Sequence, residues 1–357
     1  MRQKLALELH RMQCHTLRKT HPLRALFWEC TLRCNMHCLH CGSDCKTVSK
    51  TADMPAADFL KVIAQISASL SRGAPKPEII LTGGEALLRK DLEDVGLLLN
   101  GAGYAWGLVT NGLLLTAARY ESLKQSGMGA LTLSLDGFRE DHNWMRGVEG
   151  AFDGALRALD VLLADTSGQV NWDIVTCVNR RTLPKLPAFK QWLIEKGVRH
   201  WRLFTVFPSG RAVENPFLQL TPQEFAATFD FIVATRKEGL IDVSYGCEGF
   251  LGPYEGKVRD HLFSCQAGVT VASVLADGSI GACPSIRANF NQGSIYTDSF
   301  MDVWNNEFKV FRDRSWTRRV EPCAGCNQWR YCMGNGMHLW DNEQHLKCCH
   351  YHRLLDR

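Results

Sequence analysis

Residues 30–45 read Cys30-Thr-Leu-Arg-Cys34-Asn-Met-His-Cys38-Leu-His-Cys41-Gly-Ser-Asp-Cys45, and only Cys34, Cys38 and Cys41 fit a CxxxCxxC spacing. A zinc site favours four ligands from two CxxC pairs or Cys/His sets. Three thiolates suit an iron–sulfur cube with one iron left without a protein ligand, and an open position is what separates a catalytic metal centre from a closed structural one. A zinc knuckle is the alternative. A second group lies near the C-terminus. Cys265 is followed after twelve residues by Gly278 and after four more by Cys283; then come Cys323-xx-Cys326-x5-Cys332 and the tandem Cys348-Cys349. This spacing also points to metal, structural zinc included, because CxxC beside further cysteines is a zinc signature.

The thiols are unevenly spread. Of 15 cysteines, six lie in residues 1–45 and seven in residues 265–349, with Cys177 and Cys247 between. A disulfide framework belongs to short secreted chains, and this chain has 357 residues and an N-terminus without an apolar signal core. Metal binding in a reducing, cytoplasmic setting is the expectation. The balance of 41 Lys+Arg against 37 Asp+Glu gives no field that would make nucleic acid the main partner. No window has the ~18 consecutive apolar residues of a membrane span. Residues 1–24 are basic and helix-prone, so a helix packed on the surface is expected there, with a partner arm or weak membrane contact as alternatives.

The elements that must position the first cluster alternate. Apolar, β-branched runs at 25–30, 77–82, 104–110, 130–136, 169–178 and 199–207 are separated by helical patterns near 55–71, 89–100, 116–126, 151–166 and 183–196. Six β-α units predict parallel strands with right-handed crossovers, in a doubly wound sheet or an incomplete TIM-like barrel. Cys34, Cys38 and Cys41 then sit on the loop at the C-terminal end of the first strand, where ligands bind in such folds. The rhythm ends at Pro208-Ser209-Gly210-Arg211, and Thr221-Pro222-Gln223-Glu224 reads as a capping box opening a helix to about Gly239. The expected division is a helical extension over 1–24, a barrel over 25–215, a linker helix over 216–240 and a small Cys-rich domain over 241–357.

The CxxxCxxC loop after the first strand resembles the radical S-adenosylmethionine (SAM) enzymes. The resemblance continues in order through Gly83-Gly84-Glu85 after the second strand, like the GGE motif, with Ala86 where the family has proline. Thr110-Asn111-Gly112 ends the third strand; Ser134-Leu135-Asp136-Gly137, His142 and Arg146-Gly147 follow the fourth; Pro208-Ser209-Gly210-Arg211 follows the sixth. The resemblance implies a partial (β/α)6 TIM-like barrel and a [4Fe-4S] cluster on Cys34, Cys38 and Cys41, its open iron chelated by SAM. It implies SAM contacts at Gly83, Gly84, Glu85, Ser134 and Arg146, with adenine near the backbone of Leu39 and His40 and near Leu203. Glycine permits close backbone approach, and a carboxylate accepts an ammonium group. Singly, each motif is also an ordinary turn.

The C-terminal pattern resembles the SPASM domain, an auxiliary-cluster extension, except that Gly336 stands where CxxCx5CxxxC has its fourth cysteine. By resemblance Cys323, Cys326, Cys332 and one of Cys348 or Cys349 hold an outer auxiliary iron–sulfur cluster. An inner one would use Cys265, Cys283 and a substitute such as Cys247, or would be open or empty. Cys14 has no assigned role; Cys30, Cys45 and Cys177 are candidate hydrogen donors. Sulfatase-maturing relatives carry an acidic residue after the Gx4C cysteine; Pro284-Ser285 stand here. The stretch LFWECTLRC…HCGSDC resembles enzymes encoded beside small lipoproteins in Bacteroidetes. The resemblance implies an enzyme that reductively cleaves SAM to a 5′-deoxyadenosyl radical and modifies a peptide or protein, a substrate encoded nearby being one candidate. Flavodoxin or ferredoxin would supply low-potential electrons. A small-molecule substrate such as a tetrapyrrole, or a non-catalytic iron–sulfur or zinc protein, are the alternatives.

Overall fold

A computed structural model describes residues 2–246 and 248–356; Cys247, a candidate substitute ligand, lies outside the described residues. Six strands follow the predicted runs: β1 (Ala25–Thr31), β2 (Glu78–Gly83), β3 (Trp106–Thr110), β4 (Met128–Ser134), β5 (Asn171–Val178) and β6 (His200–Thr205). A short seventh strand, β7 (Asp242–Tyr245), extends the sheet past the six expected. Each of β1 to β6 pairs in parallel with the next, ending at β7. Such strands are covered on both faces, which is why β1 is apolar almost throughout rather than alternating.

The helices that precede β7 are α1 (Arg2–Thr20), α2 (Ala56–Ser69), α3 (Leu92–Gly101), α4 (Ala117–Gln125), α5 (Arg139–Arg146), α6 (Ala151–Ala164), α7 (Leu186–Lys196) and α8 (Pro222–Glu238). The main core lies between the sheet and α2, α3, α4, α6, α7 and α8; Trp28 of β1, for example, stacks on Phe59 of α2 with ring centroids 4.3 Å apart. The α8 capping box forms as read: the Thr221 hydroxyl accepts from Glu224 N–H and the Glu224 carboxylate accepts from Thr221 N–H. α8 packs on β7, so the segment expected as a linker helix makes a further α-β unit of the barrel.

The C-terminal region is stitched into the same sheet. β8 (Val271–Val274) pairs in parallel with β1 on the edge opposite β2, and β9 (Ser279–Gly281) and β10 (Gly293–Ser294) add antiparallel. The strand order β10-β9-β8-β1-β2-β3-β4-β5-β6-β7 leaves β10 and β7 at the edges, an open partial barrel. α1 lies against the C-terminal region, where Glu8 accepts from the Tyr331 hydroxyl at 2.6 Å and pairs with Arg330 at 2.7 Å. No described helix is long and apolar enough to cross a membrane.

Candidate active site and auxiliary metal site

The CxxxCxxC loop leaves the C-terminal end of β1. Cys34, Cys38 and Cys41 line one cavity of about 130 Å³ together with Gly83, Gly84 and Glu85 from the end of β2, Asn111 from the end of β3, and Ser134 and Arg146. His40 and Cys45 line it too. Gly83 has φ +141°, and a Cβ there would lie 2.1 Å from the Thr31 carbonyl oxygen; one on Gly84 would lie 2.2 Å from that of Arg33. The glycine pair therefore lets the end of β2 close on the cluster loop's backbone. Leu203 does not line this cavity; it is fully buried in the main core, while Val206 packs with Leu39 and Cys177.

α5 closes the loop from the other side. His37 N–H donates to the Arg146 carbonyl at 3.0 Å and Leu39 N–H to that of Met145 at 2.9 Å. The Arg146 side chain turns inward, its Nε 2.7 Å from Asp136 Oδ2 and its Nη1 3.8 Å from Cys38 Sγ. Burial alone would raise the Asp136 carboxyl, but the charges of Arg146, His40 and His142 outweigh it and hold it at about 2. Burial lowers His142 to about 3 and His40 to about 4, so both imidazoles are neutral at pH 7. His142 Nδ1 accepts from Asp136 N–H at 3.0 Å. Polar atoms of His40, Asp136 and Cys177 all lie within 4.8 Å of one another.

Two fixtures were not legible as such in the sequence. Arg211 donates from Nε to the Cys38 carbonyl at 2.8 Å, and from Nη1 to the Cys45 carbonyl and to Asp44 at 2.9 Å each; its own N–H reaches the Cys41 carbonyl at 3.1 Å. Glu85 is buried, and its carboxylate accepts from Leu87 N–H at 3.1 Å, Thr110 Oγ1 at 2.7 Å and Asn111 N–H at 2.8 Å, tying β2 to β3. Burial raises its carboxyl. Signals for both lay in quoted segments, Pro208–Arg211 and Thr110–Gly112, but not their partners.

The donor set fits an open iron–sulfur cube with a polar ligand beside it. Three thiols face one cavity, and within the loop Asn35 Nδ2 and His40 Nδ1 are buried without a hydrogen-bond partner. Asn35 Oδ1 accepts from Asn111 Nδ2 at 2.8 Å, which fixes the amide. Cys45 stands against Cys41, and this thiol contact, outweighing burial, lowers the Cys41 thiol below its ordinary range.

In the C-terminal region Cys323, Cys326, Cys332 and Cys349 line a second, smaller cavity with Trp329 and Asn335. Cys348 does not line it and interacts with Arg353. Asn335 bridges two of the four: its N–H is 3.1 Å from Cys332 Sγ and its Nδ2 3.5 Å from Cys349 Sγ. Burial pushes Cys323 up to about 12. At Gly336 a Cβ would lie 2.7 Å from the Glu248 carbonyl oxygen and 2.6 Å from the His338 ring, so the neighbourhood has closed over the position of the missing cysteine. Cys265 faces Arg314, which hydrogen-bonds it.

Residues 28–183 match the family model of the radical SAM superfamily, and residues 265–327 match that of SPASM, an iron–sulfur cluster-binding domain. The chain is 27% identical over 337 residues to the AdoMet-dependent heme synthase of Methanosarcina barkeri, covering 88% of this chain and 91% of the relative. It is 26% identical over 317 residues to the mycofactocin maturase MftC of Mycolicibacterium smegmatis, covering 87% and 77%. Its fold is similar to that of anSMEcpe with bound AdoMet, at TM-score 0.72 and 20% identity over 94% of this chain and 95% of that one. SuiB of Streptococcus suis bound to its precursor peptide SuiA overlays at TM-score 0.67 and 14% identity, over 88% and 73%. The first domain carries a [4Fe-4S] cluster and SAM, and the second carries auxiliary iron–sulfur clusters. The chain is thus a radical SAM enzyme with a C-terminal SPASM domain.

Proposed function

We propose that this enzyme abstracts a hydrogen atom from a peptide or protein substrate, using Cys34, Cys38 and Cys41 to hold the SAM-cleaving cluster. The observation that carries the chemistry is the convergence of those three thiols with Glu85, Asn111, Ser134 and Arg146 on one cavity at the C-terminal ends of the strands. When bound, the cluster and SAM supply reductive cleavage of the sulfonium to methionine and a 5′-deoxyadenosyl radical. The chain's own residues do the rest. Arg211 and the end of α5 fix the loop, and Asp136 keeps the Arg146 guanidinium beside Cys38. Asn35 and His40 offer buried, unpaired polar atoms to a ligand. Buried apolar side chains at Met145, Val206 and Leu218 exclude water. Cys323, Cys326, Cys332 and Cys349 are assigned as the outer auxiliary ligands, leaving Cys348 free of that role.

The peptide reading is supported by the fold shared along nearly the whole chain with anSMEcpe, solved with bound AdoMet and peptide. A tetrapyrrole is the second reading, favoured by the heme synthase relative that this chain matches over most of its length. Anaerobic reconstitution followed by measurement of 5′-deoxyadenosine tests the chemistry. Iron loading without SAM cleavage under dithionite would refute it. A mass shift in a co-expressed peptide, against turnover of an added iron coproporphyrin, decides between the two substrates.

A further inference from the structure

A cleft of about 510 Å³ lies between α1 and the C-terminal domain. Arg11, Arg18 and Lys19 line it from α1, and Lys309, Arg312 and Arg330 from the other side, with Asp313 the one acid in its wall. The whole chain has a formal excess of only +4, so this wall concentrates its positive charge. Arg11 and Arg330 share Glu8. Among the described residues Arg18, Lys19, Lys309 and Arg312 have no carboxylate partner. Four cations without counterions, held around one concavity, form a field that attracts an anionic surface.

The position of the cleft says which surface. Trp329 lines both this cleft and the cavity of Cys323, Cys326, Cys332 and Cys349, and Met333 of the cleft follows Cys332 directly. The cleft shares no lining residue with the cavity of Cys34, Cys38 and Cys41, so a substrate seated in it would not touch the reacting atoms. The cleft therefore adjoins the auxiliary centre and not the site of hydrogen abstraction. SAM cleavage consumes one electron that must come from outside the chain.

We propose that this basic cleft docks an acidic one-electron carrier protein of the flavodoxin or ferredoxin class and passes its electron to the outer auxiliary centre across Trp329. No bond forms or breaks: the reduced carrier loses one electron and the iron–sulfur centre gains it. The proposal rests on the assignment of the four cysteines to that centre. Transient redox complexes of this kind are small and charge-steered, which suits a cleft rimmed by Lys and Arg side chains.

The test uses the reconstituted holoenzyme and the double variant Lys19→Glu/Lys309→Glu, both residues exposed and outside either cysteine set. Binding of oxidised flavodoxin is measured by calorimetry at low and at physiological salt. SAM cleavage is measured separately with reduced flavodoxin and with dithionite. Electrostatic steering of this size predicts at least about a tenfold loss of flavodoxin affinity and of flavodoxin-driven cleavage at low salt, with the dithionite-driven rate unchanged. Lys19→Gln/Lys309→Gln gives an intermediate loss. Unchanged affinity, or an equal loss with both reductants, overturns the proposal. Absence of 5′-deoxyadenosine with every reductant would instead count against the enzymatic reading, while the calorimetry still decides the docking.

Discussion

Removing the Arg211 side chain should release the cluster loop while leaving the barrel folded. The guanidinium is largely buried and donates to the carbonyls of Cys38 and Cys45, bridging two points of the CxxxCxxC loop 2.8 and 2.9 Å away. Its third bond, to Asp44, involves a half-exposed carboxylate and adds little. Each buried bond from a charged donor contributes about 1.5–3 kcal/mol, so Arg211→Met forfeits about 3–6 kcal/mol of loop closure. Water satisfies the two carbonyls once the loop opens, which favours the lower end. At about 1.4 kcal/mol per factor of ten, opening becomes about 10²-fold more frequent. Arg211→Lys keeps the charge but loses the fork that reaches both carbonyls, and should fall between. The assay is the rate at which an iron chelator strips the reconstituted enzyme, with iron of the C-terminal four-cysteine set as internal reference, since the two cavities share no residue. A stripping rate within about twofold of the unsubstituted enzyme, at equal far-ultraviolet circular dichroism, would refute the stapling role.

Cys349→Ser should cost the auxiliary site its metal, lowering bound iron by about four per chain, whereas Cys348→Ser should leave the count unchanged; iron and sulfide analysis reads both. Gly336→Cys, which restores the family spacing, should destabilise by about 1–3 kcal/mol without adding iron, because its Cβ would meet the Glu248 backbone; urea midpoints and iron content check this. Glu85→Gln turns an acceptor into a donor facing either Asn111 N–H or the Leu87 and Thr110 donors, an expected loss of about 1.5–3 kcal/mol by urea denaturation. His142 titrates near 3 in the folded chain against about 6.5 when unfolded. The unfolded chain alone takes up that proton as pH falls from about 6.5 to about 3, so His142 withdraws about 1.4 kcal/mol of stability per pH unit in that window. His142→Asn should flatten the dependence by that slope.

The site was legible where its parts are neighbours along the chain. Cys34, Cys38 and Cys41 come from one loop, and each motif segment ends a strand, so knowing that the strands run parallel was enough to bring them to one end of the sheet. What escaped reading acts across long separations or breaks the expected period. Arg211 meets the carbonyls of Cys38 and Cys45 173 and 166 residues away, and nothing local marks those acceptors. α5 reads REDHNWMR, without an apolar stripe, because the face it buries is made of Asp141, His142, Asn143 and Arg146 as well as Met145. β7 is four residues long, too short for alternation to register. Leu203, named for the adenine side, is buried in the main core and does not line the cavity of Cys34, Cys38 and Cys41.

The pairing of β8 with β1 bears on how the two metal sites can work together. Ala25 to Trp28 of β1 are flanked by Glu78 to Leu81 of β2 and by Val271 to Val274 of β8, so the strand that launches the CxxxCxxC loop is hydrogen-bonded on both edges. Glu29, the next residue, is buried and pairs with Arg287 beyond β9 at 2.8 Å. A hinge between the domains would have to break this ladder and strand the Glu29 carboxylate in an apolar setting, which costs several kcal/mol. The C-terminal domain is thereby held as part of the barrel sheet. Fixed separation between two metal sites suits electron transfer, which tolerates no large excursions, and it leaves adaptation to substrate to the loops at the strand ends. Of the long helices outside this sheet that rest on the C-terminal domain, it is α1 that lines the basic cleft, supplying three of its six Lys and Arg side chains.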